Sequence, residues 1–216
     1  IAYVCPKRHI YVIDSDGVTA PQTSAGGDSL VWGTWTPGAG QRVGHSWPTW
    51  SPDGTQIACF RIPQGGAPRV LVMDVNGISS SEVVDLGARL PIYLYWSPGG
   101  SQIAVLSQCM DEEGDKLSLT TVRPSVLGQE RTIAEGTPLF FTWFGERIAA
   151  YIGGTHVQSA RLSISDPMGH TATEILPGIP GNFCAPIALS NENLVYVAAH
   201  NGVTQILKAG VGDSVP

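Results

Sequence analysis

The chain is poor in charge, and that poverty excludes most partners first. Only 14% of its 216 residues are Asp, Glu, Lys or Arg, and the net charge is −6. Nine arginines and three lysines are scattered along the sequence, with Lys7-Arg8 the one adjacent pair. No basic run exists to follow a phosphate backbone, so nucleic acid is not expected as a partner. No stretch approaches the roughly 18 consecutive apolar residues that a membrane-spanning helix needs. Helical periodicity is missing throughout. The four cysteines, Cys5, Cys59, Cys109 and Cys184, form no CxxC pair, which removes a zinc cluster. Two disulfides remain possible, but burial as small apolar side chains is the favoured reading.

Catalytic motifs are also absent. The string Gly44-His45-Ser46-Trp47-Pro48 lacks the final glycine of a nucleophile elbow. There is no HExxH, no P-loop and no GxGxxG. A standard enzyme is therefore not expected, and neither is a cofactor. The sequence opens on Ile1 with no signal-peptide pattern, so a processed, trimmed or partial chain is expected.

What the chain does have is glycine (26) and proline (16) among 43% apolar residues, the composition of a packed domain with many turns. Trp50-Ser51-Pro52-Asp53-Gly54 is strong turn chemistry between two apolar runs, and it recurs. Trp96-Ser97-Pro98-Gly99-Gly100 follows 46 residues later, and Trp143-Phe144-Gly145-Glu146 another 47 on. Leu189-Ser190-Asn191-Glu192 comes 46 after that. The following strand keeps step at Ile57, Ile103, Ile148 and Leu194. Each repeat continues with a third apolar run and a more polar fourth, as an outer edge strand should be.

Four strands per repeat of 40-odd residues, without helix, predict an all-β protein, a β-propeller of four-stranded antiparallel blades. About five blades are visible, three complete and two partial, within a single domain over 1–216. The expected division is a partial blade at 1–35, blades near 46–90, 91–136 and 137–180, and a partial blade at 181–216. About fourteen extra residues fall within 18–46, in the manner of a loop insertion.

The motif Pro48-x-Trp50-Ser51-Pro52-Asp53-Gly54-x-x-Ile57-Ala58, followed by Val70-Leu71-Val72-Met73-Asp74-Val75-Asn76-Gly77, resembles the TolB-like (WD-like) propeller repeat. Gly99 replaces Asp53 in the next repeat, and the last two repeats lose the turn motif. The resemblance implies a six- to eight-bladed ring, a periplasmic or extracellular setting, and a binding platform. Ring closure is expected to use further chain or subunit packing. The leading function is a non-catalytic protein–protein interaction scaffold within a larger assembly. The alternatives are the accessory propeller of a prolyl-oligopeptidase-like hydrolase and a metal-dependent carbohydrate-binding or lyase propeller.

The repeating Trp50, Asp53, Gly54, Trp96 and Trp143 read as structural, the tryptophans as wedges between blades. Trp32, Trp35, Arg42 and His45, in or beside the insertion, are the candidate partner-binding residues, because interface cores favour Trp, Tyr and Arg. Trp32, Trp35 and Trp47 either cap the core or present an aromatic patch. His9, His45, His156, His170 and His200 occupy no equivalent repeat position, so no metal site is assigned to them. The run Asp111-Glu112-Glu113-Gly114-Asp115 lacks calcium-loop spacing and reads as a solvated hairpin tip.

Overall fold

The computed structural model describes residues 2–4, 10–12, 30–31, 34–35, 43–63, 65–75, 79–111, 114–126, 128–153, 160–169, 172–175, 185–190, 192–200 and 203–210. Every regular element among them is a β-strand. Strands β1 (Ala2–Val4) and β2 (Ile10–Val12) pair antiparallel. Strands β3 (Leu30–Val31) and β4 (Thr34–Trp35) form a two-stranded sheet.

Three four-stranded sheets follow in sequence order. The first holds β5 (Val43–Trp50), β6 (Gln56–Pro63), β7 (Arg69–Asp74) and β8 (Ser80–Asp85). The second holds β9 (Leu90–Trp96), β10 (Ile103–Asp111), β11 (Gly114–Val122) and β12 (Glu130–Gly136). The third holds β13 (Leu139–Phe144), β14 (Arg147–Ile152), β15 (Arg161–Ser165) and β16 (Ala172–Ile175). Strands β17 (Ile187–Ala188), β18 (Asn193–His200) and β19 (Val203–Gly210) complete the order as a three-stranded sheet. Three complete blades flanked by partial ones is the architecture that the repeat implied.

Backbone contacts divide the chain into two compact units, 1–96 with 100–107 and 122–130, and 97–99 with 108–121 and 131–216. Each has its own core. In the first unit, Ala58 and Phe60 of β6 join Val70 and Val72 of β7 in one cluster with Leu94, Trp96, Ile103 and Val105. The alternate residues Ile57, Cys59, Leu71 and Met73 join Ile10 and Val12 in another. Successive side chains of a strand point to opposite faces, so a middle strand covered on both faces must be apolar at every position. That is why β6 and β7 read as unbroken apolar runs instead of alternating ones. Full burial of each such side chain contributes about 1.5–3 kcal/mol. In the second unit, Phe144, Ala149, Tyr151 and Leu162 pack with Leu194, Tyr196 and Ala209.

The turn after β5 is built from its own side chains. Gly54 N–H donates to the Ser51 carbonyl (2.9 Å), with Gly54 at φ 71°. Asp53 Oδ1 accepts from the Ser51 hydroxyl (2.6 Å), Thr55 N–H (3.0 Å) and the Thr55 hydroxyl (2.9 Å). The Ser51 hydroxyl, followed by the two Thr55 donors, holds the Asp53 carboxyl below the usual carboxylate range. A lowered folded value means the stabilisation is complete above about pH 4 and is lost as pH falls through the folded value. Asp53→Asn is therefore expected to lower the melting temperature at pH 7 and to match the parent near pH 2. Equal deficits at both pH values in a melting series would show that the charge is not responsible.

In the next repeat Gly99 stands at the position of Asp53, and Glu146 supplies the carboxylate at that turn. A Cβ at Gly99 would lie 2.8 Å from Glu146 Oε1, and the Gly99 N–H donates to that same oxygen at 2.6 Å. The carboxylate of one turn thus bonds the backbone of the preceding repeat's turn, and a side chain at position 99 would displace it.

Candidate functional site

The first strands of the first two sheets bring together three aromatic rings, Trp47 on β5 with Tyr93 and Tyr95 on β9. Centroids are 5.7 Å apart for Trp47–Tyr93, 6.1 Å for Trp47–Tyr95 and 5.6 Å for Tyr93–Tyr95. Trp47 is 42% exposed and Tyr95 44%. Alternation along β9 explains the two tyrosines. Leu94 and Trp96 are buried, so Tyr93 and Tyr95 point to the other face.

Trp47 is held there against its backbone preference. It sits at φ 53°, and the β5–β6 register slips between Ser46 and Thr49. A non-glycine residue in the left-handed region costs on the order of 1–3 kcal/mol and persists only where its surroundings impose it. The bulge breaks the alternation of β5 and turns the indole outward. The indole N–H then donates to the Leu94 carbonyl (3.1 Å). Two residues along β9, the Trp96 indole N–H donates back to the Thr49 carbonyl (3.2 Å). These two bonds, at Leu94 and Trp96, flank Tyr95 and tie β5 to β9.

Of the residues singled out by sequence, Trp32 and Arg42 lie outside the described residues. Trp35 ends β4, and its side chain is likewise not described. His45 corrects the sequence reading, which put it in an irregular loop. It lies in β5, opposite Arg61 of β6, with its ring fully buried. The reason is length, since β6 extends to Pro63 and pairs with the chain back to Val43. Trp96 and Trp143 are buried, and Trp50 is partly buried against the cluster containing Ile10. Tyr93 and Tyr95 were not anticipated. Their i, i+2 spacing opposite the buried Leu94 and Trp96 was the available signal.

Among the described residues, other chemistry is sparse. A cleft of about 480 Å³ beside β8 is lined by Arg69, Glu82, Asp85 and Glu130 among others. Its charges are mutually engaged, Glu82 with Arg61 (2.7 Å) and Arg69 (2.6 Å), Asp85 with Arg69 (3.4 Å), and Glu130 with Arg89 (3.2 Å). Exposed pairs of this kind contribute about 0–1 kcal/mol each. Burial pushes the Cys59 thiol up, so it stays protonated and unreactive. Among the described residues, Cys59 and Cys109 are free thiols, and no three His, Cys, Asp or Glu side chains could hold a metal ion. His9, His156 and His170 lie outside the described residues, as do Glu112 and Glu113 between β10 and β11. No helix among the described residues is long and apolar enough to cross a membrane.

The blade architecture is that of a β-propeller. No protein-family model matches the sequence, and no curated protein matches it. Among solved structures, TolB from Acinetobacter baumannii aligns over 81% of this chain and 43% of its own, at 15% identity and a TM-score of 0.51. The β-propeller domain of the Trilobed protease from Pyrococcus furiosus aligns over 78% and 55%, at 12% identity and a TM-score of 0.59. Oligogalacturonate lyase in complex with manganese aligns over 94% and 56%, at 14% identity and a TM-score of 0.58. The chain thus spans between 31% and 56% of the length of the structures it resembles, and the likeness establishes the fold.

Proposed function

We propose that the chain is a non-catalytic, protein-binding segment of an extracytoplasmic β-propeller assembly. The observation that supports this is the exposed Trp47–Tyr93–Tyr95 surface. Exposed tryptophan and tyrosine on rigid strands supply large contact area at small entropic loss, the property that makes these residues interface anchors. Trp47 sits at φ 53°, a strained backbone conformation that accompanies its exposed indole. The test is affinity capture of proteins from the source organism's extracytoplasmic fraction, comparing the parent chain with Trp47→Ala and Tyr95→Ser. A partner lost from both variants is the expected result. An unchanged set of captured proteins rejects the reading.

A second reading, the accessory propeller of a prolyl-oligopeptidase-like hydrolase, draws support from the likeness to a protease propeller domain and from the partial coverage. A GxSxG hydrolase domain encoded beyond residue 216 is what this reading requires.

A further inference from the structure

Resting on that protein-binding reading, we infer that the Trp47–Tyr93–Tyr95 surface receives a proline-containing segment of the partner in the polyproline II conformation. The three rings lie 5.6–6.1 Å apart and touch one another. Their planes are inclined by 39°, 78° and 52°, so they form a ridged aromatic surface and not a flat one. The segments that carry them, His45–Thr49 and Leu90–Trp96, contain no Asp, Glu, Asn, Gln, Lys or Arg. In a chain of net charge −6 these two segments carry no formal charge, which favours an uncharged ligand.

Polar demand narrows the class further. A sugar ring stacked on an indole needs several directed hydrogen bonds, which amide and carboxylate side chains usually supply, and neither segment has one. The indole N–H of Trp47 is already given to the Leu94 carbonyl. Pyrrolidine rings stack on aromatic faces with little polar demand, and proline has no N–H to satisfy. A polyproline II segment is also preformed and loses little entropy on docking to an aromatic surface.

The test uses the full chain and a fluorescein-labelled, terminally capped nonapeptide of three Ala-Pro-Pro units, read by anisotropy. A control peptide replaces every proline with serine or glycine, and cellohexaose serves as an unlabelled competitor. Saturable binding of the proline peptide is expected, with a dissociation constant of about 10–500 μM, and at least about tenfold weaker binding by Trp47→Ala and Tyr95→Ser. Tyr95→Phe should bind like the parent. Tyr95→Ser changes an exposed side chain, so it keeps the test open if Trp47→Ala fails to fold. The inference is overturned by equal binding of the control peptide, by no saturable binding, by unchanged binding in a folded variant, or by displacement with cellohexaose. If the variants lose a captured partner while the proline peptide does not bind, only this inference falls. If capture is unchanged, the protein-binding reading falls with it.

Discussion

Trp96→Ala is expected to destabilise the first unit by about 3–5 kcal/mol, the range for emptying a buried tryptophan site. Trp96 is 7% exposed and packs with Phe60, Leu94, Ile103 and Val105 in the larger core cluster. Its removal deletes apolar contact and withdraws the indole N–H from the Thr49 carbonyl. At about 2–4 °C per kcal/mol for a chain of this size, the melting temperature should fall by roughly 6–20 °C. Trp96→Phe separates the two contributions, because it keeps most of the ring and loses only the donor. That variant should recover more than half of the deficit, leaving about 1–2 kcal/mol for the hydrogen bond and the residual void. A Trp96→Ala protein melting within a degree or two of the parent would mean that Trp96 is no wedge.

Gly153→Ala is expected to cost about 2–3 kcal/mol, although it adds a single methyl group. A Cβ at Gly153 would lie 2.5 Å from Pro138 Cδ, 2.6 Å from Pro138 N and 2.6 Å from the Thr137 carbonyl oxygen. Two of those three atoms belong to backbone and cannot swing aside. The Gly153 N–H also donates to the Pro138 carbonyl at 2.7 Å, which draws the two chains together. Gly136 faces the same junction, since its Cβ would meet the Gly153 carbonyl oxygen at 2.5 Å. Two glycines at one crossing let the chain enter β13 against the end of β14. Thermal melting should show a fall of roughly 4–12 °C. Gly54→Ala makes a useful contrast, because nothing lies within 4 Å of that Cβ and only its φ of 71° opposes the change. It should cost about 1 kcal/mol. Equal losses at the two positions would reject the close-approach account.

Much of the fold was legible because its signals are local. A Ser-Pro-Asp-Gly turn forms from residues in contact along the chain, and Ser51, Asp53 and Thr55 bond one another to make it. The unbroken apolar runs of β6 and β7 carry the other signal, since only strands covered on both faces need apolar residues at every position. The period of about 46 residues then placed the sheets. Less of the candidate site could be read. His45 sits in a stretch without repeat character, and whether β5 begins before or after it depends on how far β6 extends. Trp47 stood out as aromatic, but both a cap and a patch were open to it.

The sequence by itself determined that the chain is a series of four-stranded antiparallel β-sheets and where they turn. These follow from turn propensity and unbroken apolar runs, properties of neighbours in the chain. Tertiary structure alone decided that Trp47 meets Tyr93 and Tyr95 and that Glu146 occupies the space an Asp at position 99 would need. It alone decided that Gly136 and Gly153 share a junction. The partners in these contacts lie between 17 and 48 residues apart in sequence. Such contacts depend on how one sheet, or one strand, packs against the next, and no local pattern in the chain encodes that distance.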